Sequence, residues 1–121
     1  RVSLIQEELN ELKEAIIDND MVEVADALAD IQYVLSGAIL EFGLADRFKE
    51  IFDEVQRSNM SKTCKSMNEA EKTRTHYKAT KGVDSMIVEK NGEYLVYRIP
   101  DNKVLKSVAY SPADLKSIVE R

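Results

Sequence analysis

Apolar residues recur at helical spacing through the first half of the chain and at strand spacing only towards its end. At about 100° per residue, Ile5, Leu9, Leu12 and Ile16 share one side of a first helix expected over residues 2–18. Asp18, Asn19 and Asp20 interrupt it, because their short side chains compete for backbone hydrogen bonds and favour caps and turns. Met21, Val24, Leu28, Ile31, Leu35 and Ile39 then form the stripe of a second helix over 21–42, with Gly43 as its stop. Apolar residues on most of its circumference predict burial on more than one side. Phe48, Ile51, Phe52 and Val55 give a shorter third helix over 45–57. Residues 64–81 are polar and mixed in charge with no clean period, so an insertion or linker is expected there, with a helical turn near 68–77 at most. Beyond it, Met86–Ile99 alternates around Asn91-Gly92, a pair that supplies the positive φ values of a type I′ hairpin turn. Pro100 to Lys103 is a second turn, 104–106 a short third strand, and Ser111-Pro112 the N-cap and first position of a last helix over 112–119. The expected fold is mainly α: an antiparallel helix bundle with a small C-terminal β-hairpin appendage and a short final helix. Its parts are a helical core at 1–63, the polar stretch 64–82, and the hairpin with its helix at 83–121.

Polar positions change the picture most between residues 7 and 30. Glu7, Glu8, Glu11, Glu14, Asp18, Asp20, Glu23, Asp26 and Asp30 crowd this stretch, and Lys13 is its one basic residue. Most such runs are solvated helix faces. Glu8 differs, because its neighbours at i±3 and i±4 include Leu4, Ile5, Leu12 and Ala15, which puts it at the edge of the apolar side next to Glu11. Asp26 and Asp30 line one edge of the second stripe. A tight turn between the helices would gather Glu8, Glu11, Asp26 and Asp30 at one cleft. Carboxylates that close repel unless a cation lies between them. With a single histidine and a single cysteine in the chain, a hard ion such as Mg²⁺, or Mn²⁺ in its place, suits them better than zinc.

This stretch resembles the all-α nucleoside triphosphate pyrophosphohydrolases, the MazG-like superfamily that includes phosphoribosyl-ATP pyrophosphatases and dimeric dUTPases. Glu7-Glu8-Leu9-Asn10-Glu11 matches the first half of the family motif EExxE…ExxD. Two registers fit the second half. Asp30 as the motif's Asp puts Ala27 where Glu is expected, with Asp26 substituting; Glu23-Val24-Ala25-Asp26 is a literal ExxD, with Asp30 a further ligand. The blocks EVADALADIQYVLSGAILEFGL, IFDEVQRSNMSK and NKVLKS, followed by Tyr110 and PADL, are similar to a phage- and bacteria-type branch. The resemblance implies Mg²⁺-dependent hydrolysis of a nucleoside triphosphate to monophosphate and pyrophosphate. It implies Glu8, Glu11, Asp26 and Asp30 as metal ligands and Glu7, Glu11 or Glu23 as the group activating water. Asn59, Lys62, Arg57 and Lys106 are implied as substrate contacts, beside their plain alternatives as helix-end cap and edge-strand residues. It also implies a homodimer or homotetramer, which fits helices too few to cover their own core. A helix upstream of Arg1 is expected on the same ground. The competing reading is a helical nucleotide-binding or oligomeric interaction protein that keeps the fold and has lost catalysis, for which Ala27 is the best support. A third is a nucleotide sensor that binds without hydrolysis.

Composition narrows the field further. The 121 residues suffice for about one domain, and a net charge of −5 disfavours a nucleic-acid polymer or an anionic membrane as partner. The lone Cys64 excludes an internal disulfide and fits a reducing, cytoplasmic setting. Neither signal peptide nor spanning segment is expected. His76 has no Cys or Asp beside it and reads as a surface residue, and Cys64 as inert. Tyr94 and Tyr97 are expected to pack across strands rather than stack on a base. There is no P-loop, Rossmann glycine pattern or Ser-His-Asp arrangement, so any nucleotide must be held by metal and scattered basic residues.

Overall fold

The computed structural model describes residues 2–121 and resolves into two compact units, Arg1–Phe48 and Lys49–Arg121. The first is a helical hairpin of α1 (Val2–Ile17) and α2 (Met21–Glu41). Arg1 lies outside the described residues. Asn19, in the left-handed region at φ 54, closes α1. Its amide donates to the Ile16 carbonyl at 3.1 Å and the Asp20 amide donates to Ala15 at 3.1 Å, the paired bonds of a Schellman stop. Asp20 then caps α2, its carboxylate accepting from the Glu23 amide at 3.2 Å. Gly43 ends α2 in the same way, at φ 73, with Leu44 donating back to Ile39.

The buried stripe differs from the one expected. Ala15 and Ala27, 4% and 3% exposed, are the covered positions of the hairpin, with Ile5, Glu8, Leu12, Val24, Ile31 and Val34 half-buried around them. Small side chains let helix axes approach closely, so the alanines set the contact line. Of the large residues assigned to the core, Ile5, Leu12, Val24, Ile31 and Ile39 are half-buried, and the others lie beside that line. Leu9, Ile16, Met21, Leu28 and Leu35 all count as exposed, Leu28 at 52%. The hairpin therefore carries a second apolar side, which is exposed where the circumference of α2 predicted burial.

The second unit is α/β. It contains nearly all of α3 (Phe48–Met60), then α4 (Met67–Lys81), a three-stranded antiparallel sheet in the order β1-β2-β3, and a four-residue α5 (Lys116–Val119). β1 (Ser85–Lys90) and β2 (Glu93–Arg98) pair with Lys90 opposite Glu93, and Asn91 and Gly92 supply positive φ at the turn as expected. β3 (Val104–Leu105) pairs with Val96 and Tyr97, and Cys64 adds a bridge to Tyr94.

Residues 64–81 are not a loose polar connection. Ser66 caps α4 by accepting from the Glu69 amide, Gly82 closes it at φ 64, and one face of the helix packs on the sheet. Ala70 and Thr73 are fully buried there and join Cys64, Val96 and Leu105 in the core, with Tyr77, Val83, Ile87 and Tyr94 at its margin. Tyr94 packs in the manner expected.

The end of the chain also departs from expectation. Ser111 does not cap a helix, and 112–115 are not helical. The Ser111 amide donates to Ser61 Oγ at 2.9 Å, the Arg57 guanidinium to the Pro112 carbonyl at 3.1 Å, and the Asp114 amide to Glu54 Oε2 at 2.8 Å. Groups that would close a first helical turn are bonded to the end of α3 instead.

Candidate functional site

Counting outward from the turn at Asn19, Glu8 on α1 comes opposite Asp30 on α2, and both sit on the half-buried side of their helices. One carboxylate oxygen each from Glu8, Glu11 and Asp30 lies within 4.8 Å of the others. Glu8 is the inward member. Its Oε2 is shielded from solvent and accepts no hydrogen bond. Burial pushes the Glu8 carboxyl above its ordinary value; the adjoining Glu11 carboxyl adds to this, and the charges of Asp30 and Glu7 act in the same direction. A shielded carboxylate oxygen without a donor, facing two further carboxylates, is stable only when protonated or beside a cation.

The donor set fits a hard divalent ion. All three groups offer oxygen, the donor type that hard divalent ions such as Mg²⁺ prefer. Among the described residues no His or Cys joins the group, which disfavours a softer metal. Of the other acidic residues singled out, Glu7, Glu23 and Asp26 are exposed and lie outside the cluster. Glu23 contributes its amide to the cap of α2. Asp26 stands one helical turn before Asp30 on the same helix. The hairpin thus brings Asp30, not Asp26, to Glu8 and Glu11.

The basic and amide residues expected at the substrate belong to the second unit. Arg57, near the end of α3, is held by Glu54 at 2.7 Å and reaches the Pro112 carbonyl. That pairing, with the bond from the Asp114 amide, lowers the Glu54 carboxyl to about 2. Asn59 is exposed. The segments carrying Lys62 and Lys106 are joined by a backbone bond from the Ser107 amide to the Lys62 carbonyl at 2.9 Å. Lys106 Nζ lies 4.5 Å from the centre of the Tyr110 ring, and the buried Ser58 is a neighbour of the Tyr110 phenol. Ser58 and the charges of Lys106, Lys62 and Arg57 hold that phenol below its ordinary value, against the opposing effect of burial. Tyr110 and Ser58 belong to the blocks that carry the family resemblance, although neither is assigned a role there. His76 is exposed and stacks edge-on to Tyr77. Cys64 is buried against Thr73 at 3.5 Å.

Fold and site together define an all-α hairpin with a carboxylate cluster whose Glu8 is turned inward. The model of the phosphoribosyl-ATP pyrophosphohydrolase family matches residues 1–59, and that stretch belongs to the phosphoribosyl-ATP pyrophosphohydrolase-like superfamily of all-α NTP pyrophosphatases. The superfamily is one of pyrophosphohydrolases acting on nucleotides and is typically metal-dependent, in keeping with the acidic cluster. An uncharacterized protein of Acanthamoeba polyphaga mimivirus is 38% identical over an alignment of 76 residues that covers 59% of this chain and 30% of that relative. The chain thus spans less than a third of that curated relative's length. No solved structure matches the chain. Among the described residues no helix is long and apolar enough to cross a membrane.

Proposed function

We propose that the chain is a divalent-cation-dependent pyrophosphohydrolase that converts a nucleoside or deoxynucleoside triphosphate to its monophosphate and pyrophosphate. The observation that carries this reading is Glu8: a carboxylate aimed into a helix pair, with an unpartnered oxygen and two acidic neighbours. Glu8, Glu11 and Asp30 hold the ion, Mg²⁺ or Mn²⁺, and Asp26 is available to a second one. When bound, the ion offsets the charge of the polyphosphate and polarises its phosphorus–oxygen bonds. The side chains act around it. One of Glu7, Glu11 or Glu23 takes a proton from water as its oxygen attacks the α-phosphorus. The bond from that phosphorus to the bridging oxygen breaks, and its electron pair leaves with pyrophosphate. No covalent enzyme intermediate is involved. Arg57, Asn59, Lys62 and Lys106 are the proposed contacts to the nucleotide, the lysines as point charges on phosphate. The apolar side of the hairpin is proposed as the contact with a second copy of the chain.

The test is pyrophosphate release from a panel of canonical and damaged nucleoside triphosphates, with and without Mg²⁺. Metal-dependent release of equal amounts of pyrophosphate and monophosphate supports the reading. Silence across the panel from a folded oligomer refutes it. One observation favours a second reading, a nucleotide-binding protein without turnover: Ala27, buried at 3% exposure, stands where the family motif in the Asp30 register carries Glu. That protein would bind nucleotide with the metal and release no pyrophosphate.

A further inference from the structure

The sheet of the second unit is closed on one side and open on the other. β2 lies between β1 and β3, and the Cys64 bridge to Tyr94 adds cover on the β3 side. β1 is an edge strand of six residues without proline. The direction of its backbone groups follows from the register. The Ile99 amide donates to the Asp84 carbonyl at 3.0 Å, and Ser85 stands opposite Arg98, so Met86, Val88 and Lys90 turn their amides and carbonyls to β2. Those of Ser85, Ile87 and Glu89 turn away from it. The Ser85 carbonyl accepts from Arg74 Nε at 3.1 Å, in keeping with that phase. Among the described residues no bond reaches the amides of Ile87 and Glu89. Ile87 packs at the margin of the core, whereas Met86 and Val88, 44% and 38% exposed, share the outer face with Tyr97 and Val104.

We propose that β1 pairs antiparallel with β1 of a second copy of the chain, around a two-fold axis at Ile87. An open edge recruits strands in general, and the sequence of this one selects its own copy. Outward-facing residues must meet outward-facing residues, which leaves axes at Met86, Ile87, Val88 or Glu89. An axis at Glu89 sets that carboxylate against itself. An axis at Met86 puts Asp84 opposite Val88, and one at Val88 puts Lys90 opposite Met86, each a charge against an apolar side chain. The Ile87 axis matches every pair. Met86 meets Val88 of the second copy, Ser85 meets its Glu89, and Asp84 meets its Lys90, each twice by symmetry. Asp84 holds Lys78 through Oδ1 at 2.7 Å, which leaves Oδ2 for that pair, and the Ser85 carbonyl keeps a second lone pair beside Arg74. The outer apolar faces of the two sheets then run together. So short an edge covers less than the roughly 800 Å² per partner of a stable interface. The pairing therefore forms at high protein concentration, or where another interface already holds two copies. β1 lies beyond the family match to residues 1–59, and the pairing does not rest on the proposed function.

The experiment is amide hydrogen exchange of the full chain, followed by NMR at micromolar and at millimolar concentration. The Ile87 and Glu89 amides slow at the higher concentration by about tenfold or more, while those of Met86 and Val88, already bonded to β2, change little. Association through the helical hairpin would leave Ile87 and Glu89 exchanging as before. Two variants of exposed side chains fix the register. Met86→Lys with Val88→Lys sets like charges across the strands and abolishes the concentration effect. Met86→Lys with Val88→Glu sets opposite charges across them and keeps it, which neither a misfolded chain nor a plain apolar contact would do. Indifference to concentration at Ile87 and Glu89 in the parent, an undiminished effect in the two-lysine variant, or its loss from the lysine–glutamate variant overturns the pairing.

Discussion

Replacing Glu8 by glutamine separates a metal-holding carboxylate from a merely acidic helix face. In the metal-free chain Glu8 works against folding once it ionises. Its folded value lies above its ordinary value of 4.5, so in that window the folded state holds a proton that the unfolded state has released. Stability therefore falls as pH rises through the window and stays reduced above it. Glu8→Gln removes this dependence, and the metal-free variant melts at the same temperature as the parent or higher at neutral pH. Added Mg²⁺ has the opposite ranking. A ligand at a hundredfold excess over its Kd stabilises the folded state by about 2.7 kcal/mol. For a chain of this size that is roughly 10 °C in Tm. The parent gains that shift at neutral pH and loses it as acid protonates the cluster; the variant gains little at any pH. Scanning calorimetry at pH 5 and pH 8, with Mg²⁺ and with Mn²⁺, reads all of this. A parent whose Tm ignores both ions, or a variant that keeps the full shift, would refute the assignment of Glu8 as a ligand.

Three further outcomes follow from other contacts. Asp30→Ala, on the opposite helix from Glu8 and half-buried, lowers pyrophosphate release at least about a hundredfold with circular dichroism unchanged; turnover near the parent's would remove Asp30 from the site. Thr73→Val in the core of the second unit takes the acceptor from the Val108 amide, bonded at 3.2 Å, and should cost about 1–3 kcal/mol in chemical denaturation despite its near-identical shape. Glu54, lowered to about 2, stabilises the fold above its ordinary value near 4.5 and loses that contribution as pH falls towards 2; Glu54→Gln flattens this acid limb and speeds hydrogen exchange at the Asp114 amide, which it would not do if that bond were incidental.

What the sequence disclosed depended on whether a side chain's type matched its structural task. The turn at Asp18-Asn19-Asp20, the stop at Gly43 and the Asn91-Gly92 hairpin were legible because each needs a backbone geometry that few residues adopt. α4 was not, because the side chains it buries most deeply are Ala70 and Thr73, which do not register as an apolar stripe, while Tyr77 is only half-covered. The final helix was overextended for a different reason. Ser111-Pro112 is a sound local signal, but bonds to residues fifty or more positions earlier outcompete it.

The cluster itself was half legible, and the missing half was a rotation. Placing the contact line through Leu9, Leu28 and Leu35 leaves Glu8 at an edge and makes Asp26 and Asp30 equivalent. Running it through Ala15 and Ala27 turns Glu8 inward and separates the two aspartates. Hydrophobicity ranks leucine above alanine, yet the closest approach of two helices is governed by size. The leucines and isoleucines displaced from that line form the second apolar side, which explains why a hairpin so rich in large apolar residues buries so few of them. That side argues for self-association on the same evidence that orients the acidic cluster. Sedimentation equilibrium therefore bears on both. Charged substitutions at Leu28 and Tyr33 should yield monomers, and a parent that is already monomeric would leave the rotated contact line without its counterpart.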